Sequence, residues 1–322
     1  MAKYKSSAGL AVGQGVIGFA LIATGTICAL GTLLGFFGST WWLFDYAANF
    51  RAHFAVVLLI VALAYSLLFS KTTGLFFMVM AMVNGLVLMP AYLGGPAPAA
   101  AGDDLTIVSF NVGQRASIRD TTFRWIDSVD PDLVVLVEAT SDWFRATEMA
   151  EPYQFLNGLA PERSYGIAVL AREDLDAELV RVTSARDNTV RVEARIGDKP
   201  VVVYTVQSPP SSNEADASIR SEYFANLTRL VNQETEAAVV VGDFQSTHWT
   251  HTFNSLAGEA DLVNSLDGFG LQSSWPADRW RFFRMPFDHL LHSEDLTTVD
   301  RYLGPTLGVE HRPMVVQLAI AG

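Results

Sequence analysis

The sequence predicts an α/β (α+β) four-layer sandwich, two packed mixed β-sheets flanked by helices, preceded by three transmembrane helices. Three observations predict it. Half of the 322 residues are hydrophobic and the mean hydropathy is +0.25, too apolar for an ordinary soluble domain. The charge is unevenly spread. Before residue 100 there is one acid, Asp45, and four bases, Lys3, Lys5, Arg51 and Lys71, so the remainder carries a formal charge of −15. Beyond Asp104, short apolar runs alternate with segments of helical spacing.

The apolar part comes first. Leu10 to Gly38 is uncharged and Gly-rich, His53 to Ser70 reads "HFAVVLLIVALAYSLLFS", and Thr72 to Leu93 reads "TTGLFFMVMAMVNGLVLMPAYL". Each approaches the roughly 20 residues that a helix needs to cross a hydrocarbon core. A signal peptide is the other reading of the first; its length and the two spans after it argue against cleavage. Trp41 and Trp42 suit an interface. Lys3, Lys5 and Lys71 place the N-terminus and the second turn in the cytoplasm, while Asp45 and Arg51 cancel in the loop between the first two spans. Three crossings leave the soluble part outside, on the periplasmic side of a bacterial inner membrane. Residues 1–93 are therefore expected to be the anchor, 94–104 a Gly/Pro/Ala linker, "GGPAPAAAGDD", and 105–322 the soluble domain. The single cysteine, Cys28, lies in the first span, which excludes an internal disulfide and a Cys-based metal site.

In the soluble part "LTIVSFN" reads as a strand ending at Asn111. "TTFRWIDSVD" spaces Phe123, Ile126 and Val129 as a helix does and stops before Pro131. "PDLVVLVEAT" is a strand with Glu138 near its end; "YGIAVLAR" and "VRVEARI" are strands, and "KPVVVYTVQSPP" is a strand ending at Gln207. "ADASIRSEYFANLTRLVNQET" is a helix with an apolar face, followed by the strands "AAVVVGD", "FDHLLHS" and "HRPMVVQLAI". Sheets packed face to face, with two or three helices outside, would bury a core in a domain of this size.

The strand "AAVVVGD" ends in a carboxylate, Asp243, and Gln245 follows two residues later, on the same side of an extended chain. Two readings are open: a metal or phosphate site, or a turn former opening a loop. Asn111, Glu138, Gln207, Asp243, Gln245, Asp288, Glu310 and His311 all fall at strand ends or beside them, where ligands gather in such sheets.

The order "SFNV … PDLVVLVE … GDFQ … FDHLL … EHRPM" resembles the endonuclease/exonuclease/phosphatase superfamily, over about residues 104 to 320. The leading spans and "SSWP" look like a bacterial membrane-anchored branch. The resemblance implies a metal-dependent phosphoric ester hydrolase. By it Glu138 binds a divalent metal, with Asn111 supporting metal and phosphate. Asp243 orients or deprotonates the attacking water, Asp288 braces His311, and His311 meets the phosphate. Gln207, Gln245 and Glu310 stand where the family usually has His, Asn and Asp, and Glu310 joins Glu138 and Asn111 as an expected metal ligand. Oxygen donors suit Mg²⁺ or Mn²⁺. Structural salt bridges are the competing account of Glu138 and Asp288. His289 reads as a packed or surface neighbour, and His248, His251 and His292 as ordinary histidines.

Two function classes remain. One is a phosphodiesterase or phosphatase acting at a lipid bilayer. The other is a catalytically silent relative that binds a phosphorylated ligand or partner there. A transporter is excluded by spans with almost no ionisable residues. Beyond residue 100 the only lysine is Lys199, which argues against duplex nucleic acid and for a lipid or small phosphodiester. "WPADRWRFFRMPFDH" sets Arg279, Arg281 and Arg284 among Trp275, Trp280, Phe282 and Phe283. It reads either as a loop that holds phosphate and touches a membrane or as an ordinary hairpin with one packed face.

Overall fold

The computed structural model describes residues 2–95, 104–147, 152–158, 166–172, 176–181 and 188–321. Most of the linker expected at 94–104 lies outside them. The chain divides into two compact units, the first made almost entirely of Met1–Pro90 and the second of nearly all the rest.

The first unit holds α1 (Ala2–Leu34), α2 (Trp42–Ala48), α3 (Arg51–Leu68) and α4 (Lys71–Leu88). Three stretches, Gly13–Phe37, Arg51–Leu68 and Lys71–Tyr92, are long and apolar enough to cross a membrane. Small residues let these helices approach: a Cβ on Gly25 would meet the Phe77 ring at 2.6 Å, and one on Gly31 the Phe54 ring at 2.7 Å. Asn84 Nδ2 donates to Thr32 Oγ1 (2.8 Å), a polar contact between the first and third spans. The expected loop between the first two spans is largely helix α2, and Arg51 opens α3 with its guanidinium 4.0 Å from the centre of the Phe36 ring.

The second unit runs β1 (Asp104–Asn111), α5 (Arg119–Val129), β2 (Leu133–Ala139), α6 (Ser141–Thr147), β3 (Gln154–Gly158), β4 (Gly166–Ala171), β5 (Asp176–Arg181), β6 (Asn188–Ile196) and β7 (Lys199–Gln207). Then come α7 (Glu214–Val231), β8 (Ala237–Asp243), α8 (His251–Glu259), β9 (Leu262–Asn264), β10 (Asp288–Ser293), β11 (Leu296–Leu303) and β12 (Met314–Ile320). Helix α5 stops as expected: Asp130 turns left-handed (φ +58°) before Pro131. Helix α7 starts at Asn213, whose side chain accepts the Asp216 N–H.

Two six-stranded mixed sheets result, ordered β11-β12-β1-β2-β4-β3 and β5-β6-β7-β8-β10-β9. Each has one parallel pair at its centre, β1 with β2 and β7 with β8, and antiparallel neighbours outside it. The parallel pairs are the ones joined through helices α5 and α7, since parallel strands need a crossover. Alternation sorts the side chains. Ile107, Val135, Val169, Val192, Val203, Val241, Leu290 and Val316 are buried in one cluster between the sheets. Val108, Phe110, Leu136 and Leu170 face α5 and α6 through Ile126, Trp143 and Phe144. Val202, Tyr204, Val240 and Leu291 face α7 and α8 through Tyr223, Phe224, Leu227, Phe253 and Leu256. The four layers predicted from the sequence are present, with four helices among the described residues of the domain where two or three were expected.

Gly242 sets how the β8 strand ends. It has φ +147°, and a Cβ there would lie 2.0 Å from the Val206 carbonyl oxygen of the neighbouring strand. No side chain fits without parting β7 from β8. Gly242→Ala should therefore destabilise the domain by about 3 kcal/mol or more, strain and clash combined. Denaturant unfolding of the domain's tryptophan signal checks it; an unchanged midpoint would mean that the strand end can move.

Candidate active site

The topology brings the carboxyl-terminal ends of the two parallel pairs together. Asn111 ends β1, Glu138 is the penultimate residue of β2, and Gln207 and Asp243 pair with each other at the ends of β7 and β8. Asp288 opens β10 opposite Asp243 in the antiparallel register, and His311 lies just ahead of β12.

Asn111 is 1% exposed and its amide is fully used. Its Oδ1 accepts the Gly113 N–H at 2.9 Å, which leaves Nδ2 to donate to Glu138 Oε1 at 3.0 Å and to Asp243 Oδ2 at 2.9 Å. Glu138 has φ +56° and sits where the β2 register against β4 shifts between Val137 and Ala139. It is a bulge residue, dropped from the ladder so that its side chain is re-aimed. Such a backbone costs about 1–3 kcal/mol in a non-glycine residue and gathers at functional sites. Gln114 Nε2 donates to its other oxygen at 3.3 Å.

Asp243 makes the turn that one reading of its motif expects and keeps its second oxygen for the strand-end cluster. Oδ1 accepts the Gln245 N–H at 2.9 Å, a turn-forming bond, while Oδ2 faces Asn111. Burial pushes its carboxyl up to about 6; the His311 charge opposes that and the Asp288 charge adds to it. His311 Nδ1 donates to Asp288 Oδ2 at 2.8 Å, leaving Nε2 3.8 Å from Asp243 Oδ2. Burial works against the imidazolium, but Asp288, Asp243 and Glu138 outweigh it and carry His311 up to about 9. His311 is thus a cation at neutral pH. Ligand atoms of Asp243, Asp288 and His311 lie within 4.8 Å of one another. Asp288 and His311 are held as an ion pair, with Asp243 facing the same imidazole. The open donor is Glu138, half-buried at the rim, with oxygens that take only the amides of Asn111 and Gln114. Asp288 Oδ1 is buried with no hydrogen-bond partner among the described residues. A hard divalent cation fits three carboxylates opposed by one imidazolium.

Of the remaining expected positions, Gln207 and Gln245 are half-buried, and Gln245 is left-handed with φ +46°. Glu310 does not join the carboxylates. It is exposed, its Oε2 accepts the Trp275 indole N–H at 3.4 Å, and its carbonyl accepts the Ala277 N–H at 2.6 Å. The expected metal ligand Glu310 thus has one carboxylate oxygen turned to Trp275, away from the hydrogen-bonded cluster of the other acids. His289 is packed as expected: Nε2 meets the Ser246 carbonyl at 2.9 Å, and burial and then Arg301 push it down to about 4.

Sequence reasoning missed Gln114, Ser274 and Arg301. Ser274 Oγ accepts the Asp288 N–H at 3.3 Å, and Trp275 stacks on Phe287 at 5.0 Å. Arg301 is 2% exposed and spans Ser265 Oγ, Gln272 Oε1 and the Asp288 carbonyl. The segment Trp275 to Met285 is not a regular hairpin. Only Trp275 and Met285 bridge, around a short helical turn at Arg281–Phe283.

Asn111→Asp would put a third carboxylate within 3.0 Å of Glu138 and 2.9 Å of Asp243. Its carboxyl would be raised in the fold above its unfolded value, so stability should hold in acid and fall as pH rises through neutrality. Thermal unfolding of the full chain at pH 5 and pH 8 checks the sign: the deficit should be larger at pH 8.

A family profile described as Endonuclease/Exonuclease/phosphatase family matches residues 108–310. No curated protein matches the chain in sequence. Among solved structures, an endonuclease/exonuclease/phosphatase family protein from Bacteroides thetaiotaomicron is 13% identical, with TM-score 0.56 over 69% of this chain and 100% of its own. The mannosyl-6-phosphatase of the same organism is 14% identical, with TM-score 0.53 over 67% and 100%. D. rerio TDP2 complexed with a single-strand DNA product is 15% identical, with TM-score 0.52 over 67% and 99%. At these identities the structures attest the fold alone. The profile match takes in Asn111, Glu138, Asp243 and Asp288, stops one residue short of His311, and covers most of the chain, which therefore belongs to the endonuclease/exonuclease/phosphatase family.

Proposed function

We propose that this chain is a membrane-anchored, divalent-metal-dependent hydrolase of a phosphate ester. The observation that carries the reading is the continuous chain Glu138–Asn111–Asp243–His311–Asp288, drawn from both sheets. Asp243, poised at about 6, is ionised at neutral pH and basic enough to take a proton from an attacking water. His311 offers a positive Nε2 to a phosphate oxygen as charge develops, and Asp288 fixes its ring through Nδ1. Asn111 holds Glu138 and Asp243 at a fixed separation. A divalent cation, Mg²⁺ or Mn²⁺, would be held by Glu138 with Asn111 beside it and would supply Lewis-acid charge to the non-bridging oxygens.

The substrate is read from charge. A domain at −15 with one lysine suits a lipid or small phosphodiester better than duplex nucleic acid. The family and the name of one neighbour, a mannosyl-6-phosphatase, agree with ester hydrolysis without choosing among esters. A second reading, a weakened or silent relative, is favoured by one observation: Glu310 is turned to Trp275, and it departs from the family pattern together with Gln207 and Gln245. The three spans, with Lys3, Lys5 and Lys71 on the side that the positive-inside rule makes cytoplasmic, support an anchored domain on the outer side of a bacterial inner membrane.

The detergent-solubilised chain should hydrolyse bis(p-nitrophenyl) phosphate, lose that activity in EDTA and regain it with Mg²⁺. Asp243→Asn should lower turnover by about 10²–10³ or more. The rate should fall as pH drops through about 6, where Asp243 takes a proton, and again as it rises through about 9, where His311 loses one. A metal-independent rate, or one flat across that window, would sink the mechanism. Absence of hydrolysis by the parent with retained metal binding, lost in Glu138→Gln, would favour the silent relative. For topology, a reporter active only outside the cytoplasm should work when fused after Gly322.

A further inference from the structure

Resting on the phosphoesterase reading, we infer that Arg281, Arg284 and Arg312 form an anion subsite beside the catalytic cluster that takes a second phosphate-type oxyanion of the substrate. Arg312 directly follows His311. Its backbone N–H donates to the Ser274 carbonyl at 3.1 Å, and the Ala277 N–H donates to the Glu310 carbonyl at 2.6 Å. These bonds tie the 275–285 loop to the segment that carries His311, and the Trp275 ring lies 6.5 Å from the imidazole.

The arginines are held by backbone, not by acids. Arg312 donates through Nε to the Gly304 carbonyl at 2.9 Å and through Nη2 to the Leu303 carbonyl at 3.0 Å. Arg284 donates through Nε to the Arg279 carbonyl and through Nη2 to the Ala277 carbonyl, both at 2.8 Å. In each, carbonyls take one side of the fork and leave Nη1 uncommitted. Arg281 is exposed, and its side chain bonds to no described residue. No carboxylate among the described residues pairs with any of the three. Asp278 stands 3.8 Å from Arg279, and Glu310 is engaged by Trp275.

Three guanidiniums without a counter-ion repel one another. Burial and then the charges of Arg284 and Arg281 hold Arg312 below its ordinary value. An acidic domain that keeps these unpaired guanidiniums on and beside a loop tied to the His311 segment, with N–H groups left over after the carbonyls are served, is arranged to meet an oxyanion. Trp280 and Phe283, 74% and 55% exposed, stand beside it as an apolar tip. The anion could be the headgroup of a lipid or a soluble phosphate compound; the chemistry is shared.

The test uses the full chain in neutral detergent micelles, with two titrants followed by calorimetry: inorganic pyrophosphate, and micelles doped with phosphatidylglycerol. The variant is Arg281→Glu, chosen because Arg281 has no structural bonds; Arg281→Gln is the second. Each should weaken binding about tenfold or more, while turnover of bis(p-nitrophenyl) phosphate, which carries one charge, stays at the parent rate. A loss confined to the micelle arm assigns the subsite to a lipid headgroup, and a loss in the pyrophosphate arm to a soluble phosphate. Unchanged affinity in both arms overturns the proposal. Binding is read without turnover, so a parent that hydrolyses nothing would fail the phosphoesterase reading and leave this one standing.

Discussion

The site depends on one hydrogen-bonding amide that joins the two sheets. Asn111 belongs to β1 and Asp243 to β8, so the 2.9 Å bond between them crosses the sandwich at a point with almost no solvent. Two carboxylates, Glu138 and Asp243, would repel each other here without a donor between them. Asn111 supplies both hydrogens, and its oxygen is pinned by the Gly113 N–H, so the amide cannot rotate away. On the far side His311 plays the matching part between Asp243 and Asp288 with a formal charge in place of a dipole. Acids thus alternate with donors, a pattern that makes a buried run of three carboxylates tolerable in an interior where unpaired charge is costly.

That alternation follows from the topology. Each sheet has one parallel pair, and each parallel pair delivers two strand ends to the same edge. Residues one position beyond the apolar core of a strand are the first that can be polar. Asn111, Glu138, Gln207 and Asp243 are those residues. The inter-sheet valines just behind them fix the spacing, as close-packed interiors do not slide. The Glu138 bulge is the local exception: a regular β2 would point its side chain elsewhere, and the left-handed backbone turns it to Asn111.

The legible parts of the sequence were those in which one residue type answers to one physical demand. Unbroken runs such as "LVVLV" and "AAVVV" announce strands covered on both faces, and they end at site residues. β11 was missed because its pattern is polar on alternate positions and its register slips between Thr298 and Asp300. The slip puts Arg301 inside, so a strictly alternating reading hides the one guanidinium that braces the Asp288 carbonyl. β9 has three residues and carries no usable period. Ser274 and Gln114 were illegible for another reason: each acts through side-chain bonds that only the folded loop creates.

The departures at Gln245 and Glu310 are best understood through the backbone. Gln245 occupies a left-handed conformation, one that asparagine tolerates better because its short amide can bond locally. Glutamine keeps the amide but carries an extra methylene, so its functional end extends further from the turn that Asp243 makes with its N–H. Glu310 has the same excess length, and its carboxylate reaches Trp275 while its carbonyl holds Ala277. The two bonds secure the loop that presents Arg281 and Arg284. Glu310 thus ties the loop that carries those arginines to the segment that carries His311, through one side-chain bond and one backbone bond.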